Sequence, residues 1–193
     1  MYRHFISPAV LLAVVLLLGA CGAQRKSSSG GVAAAGRETS APADDPGPSA
    51  AEWRQGIKGK WVLNTVERED IPAAYTVRSI FDEAPVDCFL GSVWYLPGGN
   101  YRGSITFHST AGTCATKAVR TIVWSVYENK KEGLLPQFQF KKIYGGDRPK
   151  DIKSGYRLHL SYSDEQSLVM RMPVPLDNGS TGHLVFNFSL MEY

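Results

Sequence analysis

The chain has 193 residues, of which 44% are hydrophobic and 20% charged, with 21 Lys and Arg against 18 Asp and Glu for a formal net charge of +3. That length suits one ordinary domain with appendages rather than two domains with independent cores, and the composition excludes an intrinsically disordered chain and a strongly basic nucleic-acid binder. Three cysteines, four histidines and no dense acidic cluster supply little material for a nucleophilic or metal site, so no catalytic residue, metal ligand or cofactor is expected.

Residues 1–20 have a basic start at Arg3 and His4, an apolar run over 9–18 and the small residues Gly19 and Ala20 before Cys21, the three-part layout of a secretory signal peptide. The apolar run is about 15 Å long as a helix, too short for a hydrocarbon layer of about 30 Å. The ending Leu18-Gly19-Ala20-Cys21 resembles the lipobox of bacterial lipoproteins. The resemblance implies cleavage before Cys21 and acylation of that cysteine, with palmitate as a typical chain. Two or three acyl chains anchor durably where one binds marginally, so the membrane is the expected partner, reached through the anchor alone. Residues 21–49 then hold the cysteine and a tract of Ala, Gly, Ser, Pro and charge without hydrophobic periodicity, which is a flexible tether with a reach of roughly 30 Å. Arg25 and Lys26 stand where surface-directed lipoproteins carry acidic residues, and Gly22 lacks the aspartate of inner-membrane retention. The expected location is therefore the outer membrane facing the periplasm, with the cell surface as the alternative.

The domain is expected over residues 50–193. Ser49 followed three residues later by Glu52 predicts a capping box and a short helix to about Gln55. From residue 60 the hydrophobic period changes to two, and eight strands are expected at 60–66, 92–96, 100–108, 119–127, 137–144, 155–162, 167–172 and 183–191. Short turn-like connections such as Ser163-Asp164-Glu165-Gln166 make consecutive strands antiparallel neighbours. One face of the meander collects Tyr101, Ile105, Phe107, Ile122, Trp124, Val126, Phe138, Phe140, Tyr156, Leu158, Leu160, Tyr162, Leu168, Met170, Met172, Leu184, Phe186, Phe188 and Leu190; the other carries residues such as Arg102, Arg157, His159, Arg171 and Asn187. Closure of the meander on itself would bury the apolar face and remove the edges; a two-sheet sandwich is the alternative.

Cys88 and Cys114 are the even pair left once Cys21 is acylated, and an exported chain meets an oxidising compartment. If Pro97 faces Asn100 in the hairpin, Cys88 falls opposite His108 or Ser109, a few residues from Cys114, so a structural disulfide is expected. His108, His159 and His183 fall at outward or terminal positions of separate strands and are expected to be surface histidines. The segment 141–153 carries five Lys and Arg against two Asp, which suits either anionic headgroups or a solvated loop.

Gly59-Lys60-Trp61 at the start of the first strand is similar to the Gly-x-Trp signature of lipocalins. With Cys88-Phe89, Ser92-Val93-Trp94, Asn100-Tyr101-Arg102-Gly103, Cys114, Trp124, Gly155-Tyr156-Arg157-Leu158 and Val185-Phe186-Asn187-Phe188, residues 57–193 resemble the bacterial lipocalin-like lipoproteins. The resemblance implies an all-β, eight-stranded, up-and-down antiparallel β-barrel of lipocalin or calycin type, with Gly59 and Trp61 at its closed end. A helical segment is expected at 73–81, between the first two strands. In lipocalins that connection partly covers the mouth, so Ile71, Tyr75, Ile80 and Phe81 would either meet a ligand or plug the opening as core.

Two functions follow from different classes. The barrel holds a small hydrophobic or amphipathic molecule against Tyr75, Phe81, Phe107, Trp124, Phe138, Phe140, Tyr156, Met170, Met172 and Phe186, or the interior is filled and the domain is a non-catalytic structural or protein-interaction module. Either is expected to act as a monomer without nucleic acid. Eight strands enclose room for packed side chains or for one small ligand, so interior bulk decides.

Overall fold

The computed structural model describes residues 47–128, 131 and 135–192; the signal peptide, Cys21 and nearly all of the tether lie outside them. Helix α1 (Ala50–Gly56) begins where Ser49 Oγ accepts from the Glu52 amide at 3.4 Å and the Glu52 carboxylate accepts in return from the Ser49 amide at 2.7 Å. Those bonds satisfy donors that the first helical turn leaves free.

Eight strands follow: β1 (Gly59–Glu69), β2 (Val93–Leu96), β3 (Arg102–Thr106), β4 (Val119–Tyr127), β5 (Gln137–Ile143), β6 (Tyr156–Ser163), β7 (Ser167–Pro175) and β8 (Thr181–Leu190), with a one-turn helix α2 (Val86–Phe89) between β1 and β2. The fold is all-β. Each strand pairs antiparallel with the next, and β1 pairs with β8, from Trp61 opposite Leu190 to Glu69 opposite His183. The eight up-and-down strands thus form a closed ring, and the sandwich alternative is excluded. Closure leaves no sheet edge and turns every inward row toward one core.

Two bulges adjust the inward rows. In β1 the register with β8 shifts between Leu63 and Thr65, leaving Asn64 as the extra residue; Trp61 and Leu63 point inward before it, and Val66, opposite Phe186, after it. In β6 the register with β7 shifts between Leu160 and Tyr162. This corrects the expectation for Tyr162: an extra residue at Ser161 reverses the alternation, so Tyr162 is 51% exposed and its hydroxyl donates to Asp164 at 2.6 Å.

Segment 73–81 is not helical. It runs in turn and irregular backbone with an isolated bridge at Ile80, and the helix lies later, at Val86–Phe89 behind Pro85. Thr76 and Val77 are β-branched and lose rotamer freedom in a helix, while Ile80 and Phe81 gain burial only where the chain dips into the interior. The β2–β3 hairpin is also two residues longer than a Pro97–Asn100 pairing allows, since Tyr95 stands opposite Ser104. Cys88 sits on α2, not on β2, and still reaches Cys114 in a disulfide with Cα atoms 5.3 Å apart.

At one end Trp61 is fully buried, its indole N–H donating to the Ile57 carbonyl at 2.9 Å just after α1. Gly59 has φ +149°, and a Cβ there would stand 2.8 Å from Leu190 Cδ1. Only glycine meets both demands at low cost.

Candidate functional site

The strands aim Trp94, Trp124, Phe138, Phe140, Phe186 and Phe188 into the ring, all of them buried. Into this set comes Phe81, from the β1–β2 connection. Its ring lies 5.1 Å from Phe140, 5.4 Å from Tyr156, 5.5 Å from Phe89, 5.7 Å from Phe186 and 6.0 Å from Trp94, mostly edge to face, the arrangement that aromatic quadrupoles favour. Phe107 meets Phe89 at 4.9 Å, Met170 is fully buried, and Met172 and Tyr156 are half-buried against the same core. The residues expected to contact a ligand therefore contact one another. Tyr75 stands at the rim, its hydroxyl donating to the Pro175 carbonyl at 3.1 Å. Ile71 and Ile80 are buried with Phe81, so the connection plugs the opening.

Polar contacts hold that plug in place. The bulge carries β1 to the rim with Arg68 opposite Leu184, where its guanidinium donates to the carbonyls of Pro72 at 2.7 Å and Tyr75 at 2.5 Å. A Cβ at Gly182 would be 2.5 Å from Ile71 Cγ1, so glycine there makes room for the crossing chain. Phe81 and Asp82 both take left-handed backbone, φ +53° and +46°, which costs a non-glycine residue of the order of 1–2 kcal/mol. The tight turn points Phe81 inward and leaves the next two residues facing the rim. There Asp82 Oδ2 accepts from Tyr156 Oη at 3.1 Å, and Glu83 accepts from Lys142 Nζ at 3.0 Å and Arg120 Nε at 2.7 Å. Burial alone would raise the Glu83 carboxyl, but the hydrogen bonds and charges of Lys142 and Arg120 outweigh it and hold the group below its ordinary range. Nothing in the local sequence marks Glu83: its partners lie 37 and 59 residues away, and Lys142 belongs to the segment that reads as a basic loop.

On the outer wall, His159 of β6 and His183 of β8 come together across β7, ring centroids 6.2 Å apart. His159 stands opposite Arg171, which pairs with Glu69, and His183 stands opposite Pro173. Burial, and then the neighbouring His183, push the His159 imidazole below its ordinary value near 6.5. A folded-state value below the unfolded one means the unfolded chain binds more protons between the two, so this contribution is fully present above pH 6.5 and declines as pH falls toward the folded value. Glu83, also depressed, adds stability that is present above its ordinary value near 4.5 and is lost as pH falls further. Urea midpoints measured from about pH 8 to about pH 4 should fall first through the histidine range and again below the ordinary carboxylate value. His159→Asn should flatten the first decline only. A midpoint constant across the histidine range would show that the His159 imidazole is not depressed in the folded chain.

Two grooves lie outside the ring. One, of about 760 Å³, runs between α1 and residues 161–165, with Trp53 and Tyr162 among its walls. The other, of about 1040 Å³, lies where residues 149–155 approach β4, β5 and β6. Among the described residues no group of three His, Cys, Asp or Glu could hold a metal, and no helix is long and apolar enough to cross a membrane. Comparison of the chain with protein-family models, with curated proteins and with solved structures gives no match.

Proposed function

We propose that the chain is a lipoprotein of the bacterial cell envelope, anchored through Cys21 and carrying a lipocalin-like barrel that serves as a non-catalytic structural or protein-interaction module. The observation that carries the module over the carrier is the seat of Phe81 among five aromatic rings, in the space an apolar ligand would need. The lipobox residues Leu18-Gly19-Ala20-Cys21 support the anchor, and Trp61 behind Gly59 at one end of the ring supports the lipocalin likeness. The Cys88–Cys114 disulfide suits an oxidising compartment. The domain works as a monomer on the periplasmic side of the outer membrane, within the reach of its tether.

One observation favours a second reading, in which the barrel takes up an apolar molecule. The plug residues Phe81 and Asp82 are held in disfavoured backbone by polar contacts at the rim, so a ligand that displaced Phe81 would relieve that strain. Labelling of cells with radioactive palmitate, followed by native mass spectrometry of the purified chain, tests both. Label should be present in the wild type and absent from Cys21→Ala, and the intact mass should be the acylated chain alone. Equal label in both ends the anchor, and a stoichiometric apolar molecule in the spectrum replaces the module by the carrier.

A further inference from the structure

The larger outer groove is built differently from the rest of the wall. On β4, β5 and β6 the residues Val123, Ser125, Gln139, Lys141 and Arg157 alternate with the buried inward rows and so face outward. The segment after β5 turns back over them, because Lys141 Nζ donates to the Ile152 carbonyl at 2.6 Å and the Pro149 carbonyl at 3.5 Å. Strand surface thus becomes a floor, and residues 149–153 become its far wall. The volume, about 1040 Å³, is at the upper end of the range of small-molecule sites.

Its charge is one-sided. Lys141, Lys150, Lys153 and Arg157 line it, and no Asp or Glu does. Lys141 spends its hydrogen bonds on carbonyls, which do not cancel its charge, and neither Lys150 nor Lys153 has an ion pair among the described residues. Asp147, an acid of the same segment, accepts from the Tyr144 amide at 3.0 Å and is not part of the lining. The Arg157 guanidinium lies 4.6 Å from the centre of the Tyr127 ring, a cation–π contact that restrains its planar fork. Gln139 Nε2 donates to Ser125 Oγ at 2.8 Å, leaving the serine hydroxyl hydrogen free to donate to a bound oxygen. Tyr101, half-buried with its ring 5.1 Å from Trp124, adds apolar surface. The Trp124 indole N–H is buried without a partner among the described residues.

We propose that this groove binds a phosphate ester, with Lys150, Lys153 and Arg157 around the oxyanion and the organic part lying toward Tyr101. Several cations converging with neutral donors from different directions match a tetrahedral phosphate better than a planar carboxylate. The same chemistry is offered by a phospholipid headgroup and by a soluble phosphate ester. This site lies outside the ring and does not depend on the acylation of Cys21 or on whether the interior is filled.

The full chain in non-ionic detergent is titrated with glycerol phosphate, with glycerol as the neutral control, and separately with mixed micelles containing phosphatidylglycerol or phosphatidylcholine. Saturable binding is expected for the anionic probes alone. The double variant Lys150→Glu/Lys153→Glu should weaken it at least tenfold, the neutral Lys150→Gln/Lys153→Gln should weaken it less, and Arg78→Glu, an exposed charge reversal on the β1–β2 connection, should change it less than twofold. Phosphatidylglycerol bound at least tenfold more tightly than glycerol phosphate identifies a lipid headgroup as the source; comparable affinities identify a soluble ester. Absence of saturable binding to either anionic probe, or equal loss in the groove and Arg78 variants, overturns the assignment.

Discussion

Phe81→Ala should destabilise the chain by about 3–5 kcal/mol, the range for removing a buried aromatic side chain, and should open an apolar cavity among the five rings that surround it. The size of the effect follows from position: Phe81 is 4% exposed and its five aromatic neighbours are mounted on α2, β2, β5, β6 and β8. Strands held in a closed hydrogen-bonded ring cannot collapse inward to refill the space. Such a cavity stays dry and accepts small apolar guests. The variant should therefore bind a fluorescent apolar probe that the wild type excludes, and calorimetric or urea unfolding should give the stability loss. Phe81→Leu, which keeps most of the volume, should fall between the two. Equal probe binding by wild type and Phe81→Ala would mean that the plug leaves its seat readily, and the carrier would then be the better account.

The second large effect belongs to the disulfide. Cys88 and Cys114 are 26 residues apart in sequence, and opening a loop of that length releases unfolded-chain entropy equivalent to about 3.5 kcal/mol at room temperature. Replacing both cysteines by alanine should lower the thermal midpoint by roughly 10 °C for a domain of this size. The loss should also be local. The bridge ties α2, which carries Phe89 beneath Phe81, to the loop after β3, so hydrogen exchange should quicken first in the connection that plugs the ring. A midpoint unchanged by the double replacement would show that packing of Phe89 and Phe107 alone fixes α2.

The strand pattern is legible because a half-buried strand writes its two faces into alternate residues. The interval 119–127 coincides with β4, and the other seven strands differ from expectation by one to three residues at an end. Those differences have causes that alternation does not encode. β7 continues to Pro175 beyond Met172 because Val174 keeps the inward row, buried between two prolines. β1 continues to Glu69 because the bulge at Asn64 resets its parity. Tyr162 fails for the same reason: one extra residue in a strand reverses every side chain after it, and no composition signal marks the insertion. The disulfide is legible for a simpler reason, that only two cysteines remain once Cys21 is set aside, and the pairing holds although the hairpin register behind it is off by two residues.

By itself the sequence determined an all-β fold of eight consecutive antiparallel strands, the inward set from Phe107 to Phe188 with the exception of Tyr162, and the Cys88–Cys114 pair. Periodicity and adjacency are local properties, and local rules read them. Only the tertiary structure decided that β1 meets β8, that Phe81 packs among five aromatic rings, that Glu83 receives Lys142 and Arg120, and that His159 and His183 share a wall. Each of these joins residues dozens of positions apart in sequence or more. Such pairings are set by closure of the ring and by the volume left inside it, which no window of the chain contains.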